Sequence, residues 1–115
     1  MKWEIHFKQD ERIYNVIKDM PEDDEIKVLE EWEKYLNTKL KFPFEAKVVE
    51  NDYDSIIKVG DRLKVLGIGM IDDLHGIIVD VKKGRRKYCI ELCLLEAEGK
   101  EKEIVDDYSV WFCNR

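Results

Sequence analysis

No apolar run in the chain approaches the ~20 residues that cross a bilayer. Its opening, MKWEIHFKQDE, also lacks the apolar core of a secretion signal. The protein is therefore expected to be soluble and cytoplasmic, with no membrane partner. Histidine is scarce: His6 and His75 are the only two, and neither has a nucleophile or carboxylate partner at a recognisable spacing. With no Gly-rich phosphate loop, no GxSxG and no HExxH, an enzyme is not expected. The three cysteines form no CxxC pair, and an odd number without a secretion signal points to reduced thiols. Cys89 and Cys93 fall on one face of a strand roughly 13 Å apart, beyond disulfide reach. The spacing does not supply a structural zinc site, and all three cysteines are expected in the core. An EF-hand is missing too, since no run of Asp or Asn at alternate positions leads to a Gly and a terminal Glu. There is no internal repeat and no low-complexity linker.

What is present is charge. The 115 residues are 44% hydrophobic and 40% charged, with a formal net charge of -6 and a pI near 5.0. That length is one domain, 1–115, with a mainly helical part over 1–41 and a β part over 42–115. A surplus of acid argues against a general affinity for nucleic acid and favours cationic partners, metal ions included.

The pivot of the pattern is residues 32–46, WEKYLNTKLKFPFEA. Trp32, Tyr35, Leu36 and Leu40 recur at helical spacing, while Glu31, Glu33, Lys34, Asn37 and Lys41 face water. Pro43 cannot donate a backbone hydrogen bond and biases Phe42 toward an extended form, so the helix ends by about Lys41. Before it, Trp3, Ile5 and Phe7 alternate as in a short strand or arm. Ile13, Val16, Ile17 and Met20 then predict a short helix from Asp10 onward. PEDDE places acids where a helix dipole wants them, although it also resembles a calcium cluster. After the pivot the period drops to two. Strands are expected from Phe44, from Leu63, from Gly76 and over 88–95, with Gly84 in a basic hairpin tip, KKGRRK. Ile104 and Val105 would pair briefly, and Asp106 or Asp107 would cap a short C-terminal helical turn. The fold class expected is α+β: N-terminal helices packed on a small SH3-like, PRC-barrel-like antiparallel β-barrel.

The order FPFEA, DDLHGI, DDYSVWF, with KVGDRLKVLGI between the first two, resembles the CcbP-type calcium-binding proteins, a cyanobacterial family without an EF-hand. The similarity runs from about Trp32 onward. It implies a small, acidic, cytoplasmic protein that binds calcium through carboxylates and lowers the free ion. Calcium requires six to eight oxygens from carboxylates, carbonyls and water, so a site here must be assembled from separate loops. Asp72 and Asp73 are the best nucleus, two adjacent carboxylates in a short loop before Gly76; turn formation and strand capping are the alternative. Asp106 and Asp107 form a second pair, of which helix capping explains one member. Glu45 sits where a strand leaves the pivot and is as suited to pairing with Lys47 or Lys64. Asn51, Asp52 and Asp54 read as a solvated turn, and Glu91 and Glu96 as outer contributors. Few, shared carboxylates on loops bind weakly, about 10⁻⁵ to 10⁻³ M, which suits a buffer.

Two other readings stay open. A metal-free SH3-like module would bind a protein partner through Tyr53, Trp3 or Trp111, if these are exposed. Lys82, Lys83, Arg85, Arg86 and Lys87 form a basic tip that a nucleic acid would contact, but the negative whole and the ordinary solvation of charged turns weigh against it, and no nucleic-acid partner is expected.

Overall fold

In the computed structural model, which describes residues 3–21 and 23–115, Asp10 starts the first helix by reaching backwards. Its Oδ2 accepts from the backbone N–H of His6 and of Phe7, both at 2.9 Å, just ahead of α1 (Lys8–Ile17). The segment before it, expected as a short strand or an arm, forms no strand. Residues 3–7 pair with nothing in the sheet, and Met1 and Lys2 lie outside the described residues.

Helix α2 (Glu25–Lys39) begins where Asp24 accepts the backbone N–H of Lys27 at 3.2 Å. The acidic run thus acts as cap and first turn, the dipole role read from PEDDE, though Glu22 lies outside the described residues. The helix starts at Glu25, four positions after Pro21. Its other end agrees with the expectation: Leu40 is already extended, and Pro43 follows three residues on through a cis bond from Phe42.

The sheet has five antiparallel strands, β1 (Phe44–Val48), β2 (Arg62–Asp72), β3 (Gly76–Lys83), β4 (Arg86–Glu91) and β5 (Leu95–Ala97), in the order β4-β3-β2-β1-β5. Strand β1 alternates buried and exposed residues without exception, as a half-buried strand must. The strand expected over 88–95 is broken by a 3-10 turn at Leu92–Leu94, which carries the chain from one edge of the sheet to the other. Edge strands β4 and β5 share no ladder. The sheet is therefore open, and the closed barrel expected from short strands and tight turns is not formed.

The C-terminal segment departs most from expectation. Residues read as a loop, a brief strand and a capped turn form one helix of 14 residues, α3 (Glu101–Asn114). Ile104, Tyr108 and Trp111 are spaced as a helix requires, and α3 lays Val105, Tyr108, Trp111 and Phe112 into the core. Trp32 of α2 is fully buried at the centre of that layer. Its ring centroid lies 5.6 Å from Tyr108, 5.7 Å from Tyr35 and 5.8 Å from Trp111.

Candidate metal centre

Antiparallel pairing puts the two acidic stretches of the β region at opposite ends of the sheet. The β1–β2 connection, 49–61, lies at the end that also holds the β3–β4 tip, while the β2–β3 turn, 73–75, lies at the other. Asp72 is the last residue of β2 and pairs with Gly76. Its Oδ1 accepts the backbone N–H of Leu74 at 2.7 Å and of His75 at 3.0 Å, with the His75 ring 3.5 Å away. Those two N–H groups, His75 first, hold the Asp72 carboxyl below its ordinary pKa of 3.8, so it is ionised at neutral pH. Asp73 follows with its side chain in water. Among the described residues no lysine or arginine forms an ion pair with either carboxylate.

The turn is fastened from below. Gly76 has φ +74 and lies against the Tyr108 hydroxyl and the Phe112 ring. That hydroxyl accepts the backbone N–H of Ile77 at 2.8 Å, and burial pushes the phenol up, so it stays neutral. Arg115 completes the support. Its guanidinium stacks 3.8 Å from the Phe112 ring centroid, donates to the Phe112 carbonyl at 2.7 Å and to the Asp73 carbonyl at 3.5 Å, and meets Glu25 at 3.3 Å. No sequence signal pointed to Arg115, because Asp73 and Glu25, which it joins, lie far away along the chain.

The other candidates are elsewhere and mostly engaged. Asp107 does not cap a turn; it is buried in mid-helix, and the Arg12 fork grips it with Nε to Oδ2 at 2.8 Å and Nη2 to Oδ1 at 3.1 Å. Asp107 is thus a structural anion tying α1 to α3. Arg12→Ala is expected to lower unfolding free energy by about 2 kcal/mol, the cost of stranding a buried carboxylate, discounted because the Arg12 side chain is itself partly exposed. Urea denaturation measures it, and a change below about 0.5 kcal/mol would mean the pair contributes no more than an ordinary surface contact.

Asp106 also lies in mid-helix, with Lys102 Nζ 3.1 Å from its Oδ2, and Lys102 reaches Glu96 at 3.4 Å. Glu45 is exposed on the outer face of β1 opposite Lys64, and its backbone carbonyl accepts from Glu98. In the β1–β2 connection Asn51 donates to Ser55 Oγ and the Ile57 carbonyl, closing that loop on itself. The five sequence-derived carboxylates therefore do not converge. Among the described residues no three His, Cys, Asp or Glu side chains gather as a metal cluster.

Two further expectations change. Cys89 and Cys113 are exposed rather than in the core, and only Cys93 is half-buried, its thiol pushed up to about 11 by burial. Of the three aromatics that a groove would need, Trp111 is buried and Trp3 half-buried, which leaves Tyr53 in water.

The β2–β3 turn offers two carboxylates, hard oxygen donors of the kind calcium takes, with the His75 ring beside Asp72. A family model described as calcium binding, CcbP, matches residues 11–112. Among solved structures, that of Anabaena CcbP is 26% identical with a TM-score of 0.72, covering 95% of this chain and 92% of its own. A second structure, of a calcium-binding protein in its calcium-binding form, is 24% identical, also with a TM-score of 0.72, over 93% of this chain and 90% of that one. No curated protein sequence matches. With nearly the whole of α1 through α3 inside the matched span, the chain belongs to the CcbP family of calcium-binding proteins.

Proposed function

We propose that this protein buffers calcium, and that the β2–β3 turn is where it takes the ion. One contrast carries the reading. Among the described residues no lysine or arginine neutralises the carboxylates of Asp72 and Asp73, whereas Asp106 and Asp107 are each met by a cation at 3.1 Å or closer. Oδ2 of Asp72 and the carboxylate of Asp73 would hold the ion, backbone carbonyls and water supplying the rest of its shell. Leu74 and His75 N–H groups fix the Asp72 carboxylate beforehand, so the ion orders little more than Asp73. Two protein carboxylates with much retained water give a weak site, about 10⁻⁵ to 10⁻³ M, fitted to buffering.

A calorimetric titration with calcium, against a magnesium control, tests this. Heat with calcium is expected, lost in Asp72→Asn and Asp73→Asn and kept in Asp106→Asn. Retention of full heat in both turn variants would remove the turn from consideration.

Proton competition supplies a second expectation. Asp72 has a folded-state pKa below its ordinary value of 3.8. Its stabilising contribution is therefore present above pH 3.8 and lost as pH falls through the lowered value. Calcium affinity should accordingly be lost as pH falls through that lowered value, where Asp72 takes up a proton and no longer holds the ion. Undiminished affinity below that value in the same titration would require a different ligand set.

A further inference from the structure

Charge is not spread evenly over this acidic molecule. Residues 62–87 hold seven of the 20 Lys and Arg but only three of the 26 Asp and Glu. The sheet register gathers them, because Lys64 lies opposite Lys82, and Lys82 opposite Lys87. All three are exposed, and among the described residues none forms an ion pair. Like charges directly opposite on one face of a sheet repel, with strand neighbours only about 4.8 Å apart. Such a ladder gains nothing for the fold. Arg85 and Arg86 extend it into the β3–β4 tip, likewise exposed and without an ion pair among the described residues.

A second observation lies at the same end of the sheet. The β1–β2 connection carries three of the most exposed apolar side chains in the molecule: Tyr53 at 97%, Ile56 at 71% and Val59 at 60%. It is tied to the basic tip. Asp61 accepts from Lys83 Nζ and from the Lys58 backbone N–H, both at 2.8 Å, and Lys58 Nζ donates to the Tyr53 carbonyl at 3.1 Å. Apolar side chains protruding at one end of the sheet, flanked by cations that form no ion pair among the described residues, combine the two attractions that hold peripheral proteins on lipid.

We propose that this end of the sheet docks reversibly on an anionic lipid surface, with Tyr53, Ile56 and Val59 entering the headgroup layer and Lys64, Lys82, Arg85, Arg86 and Lys87 facing lipid phosphates. A duplex would reward the cations but not the exposed isoleucine and valine. A groove on an acidic protein would have to be shaped to accept a projecting loop. Glu45, Glu50, Asp52, Asp54 and Asp80 face or flank the same end, so the binding is weak, and it is screened by salt. The calcium turn lies at the far end of the sheet, so docking leaves it in solvent and needs no calcium.

Co-sedimentation of the full chain with vesicles, in a calcium chelator, tests the proposal apart from the calcium reading. Phosphatidylcholine vesicles containing phosphatidylglycerol should pellet the protein at low salt, and phosphatidylcholine alone should not. Raising salt to physiological strength should reduce the bound fraction several-fold. Lys82→Glu with Lys87→Glu should abolish pelleting and leave the calcium titration unchanged. Tyr53→Trp should show a blue shift of emission when the mixed vesicles are added. Absence of pelleting with phosphatidylglycerol at low salt, equal pelleting of the charge-reversed variant, or a shift of short duplex DNA without vesicle binding would each overturn it.

Discussion

Trp32→Ala is expected to lower the free energy of unfolding by about 4 kcal/mol, the upper part of the range for a buried tryptophan. The indole joins two helices, lying between Tyr35 on its own helix and Tyr108 and Trp111 of α3. Alanine would leave a cavity that neither helix can close without dragging the other off the sheet. A domain of this size has about 5–15 kcal/mol in hand, so much of its stability would be gone. The urea midpoint, followed by far-UV circular dichroism, measures the loss. A fall below about 1 kcal/mol would show that α3 does not rest on this ring.

Gly76→Ala should cost about 3 kcal/mol and weaken calcium binding as well. Two causes add at this position. The backbone has φ +74, which a side chain adopts only under strain, and a Cβ there would run into the Tyr108 hydroxyl and the Phe112 ring. Relief requires the turn to lift, which breaks the bond from Ile77 N–H to Tyr108 and displaces Asp72 and Asp73. Gly84→Ala is the comparison. It has φ +61 with open space around the added carbon and should cost only about 1 kcal/mol, with calcium binding intact. Equal losses in the two variants would mean that the packing under the turn is loose.

The sequence carried the local features of the fold well. Helix α2 ends where Leu40 and Pro43 require, β1 alternates as its residues predict, and Gly84 sits in the hairpin turn. Helix α3 was hidden because Gly99 and the paired Asp106 and Asp107 carry turn signals, and these outweighed the helical spacing of Ile104, Tyr108 and Trp111. The open sheet was equally out of reach. Whether short strands close into a barrel depends on whether the two edges meet, and no local pattern encodes that.

For the candidate site the limit was the sign of the neighbours. Asp72 and Asp107 look alike in sequence, each one of a pair of aspartates, yet one is met by backbone N–H groups and the ring of His75 while the other is gripped by Arg12 from 95 residues away. Charge pairing at such separations is a property of the folded chain. The same is true of Arg115, which props the turn, and of the lysine ladder, which exists only in the register of three strands.

Following the backbone amide resonances by NMR during a calcium titration addresses the central claim most directly. The largest shifts should fall on residues 72–76, with a smaller response at Arg115 and little change at Asp106 and Asp107. Shifts concentrated instead in the Asn51 to Ser55 loop or along α3, with the β2–β3 turn silent, would contradict it.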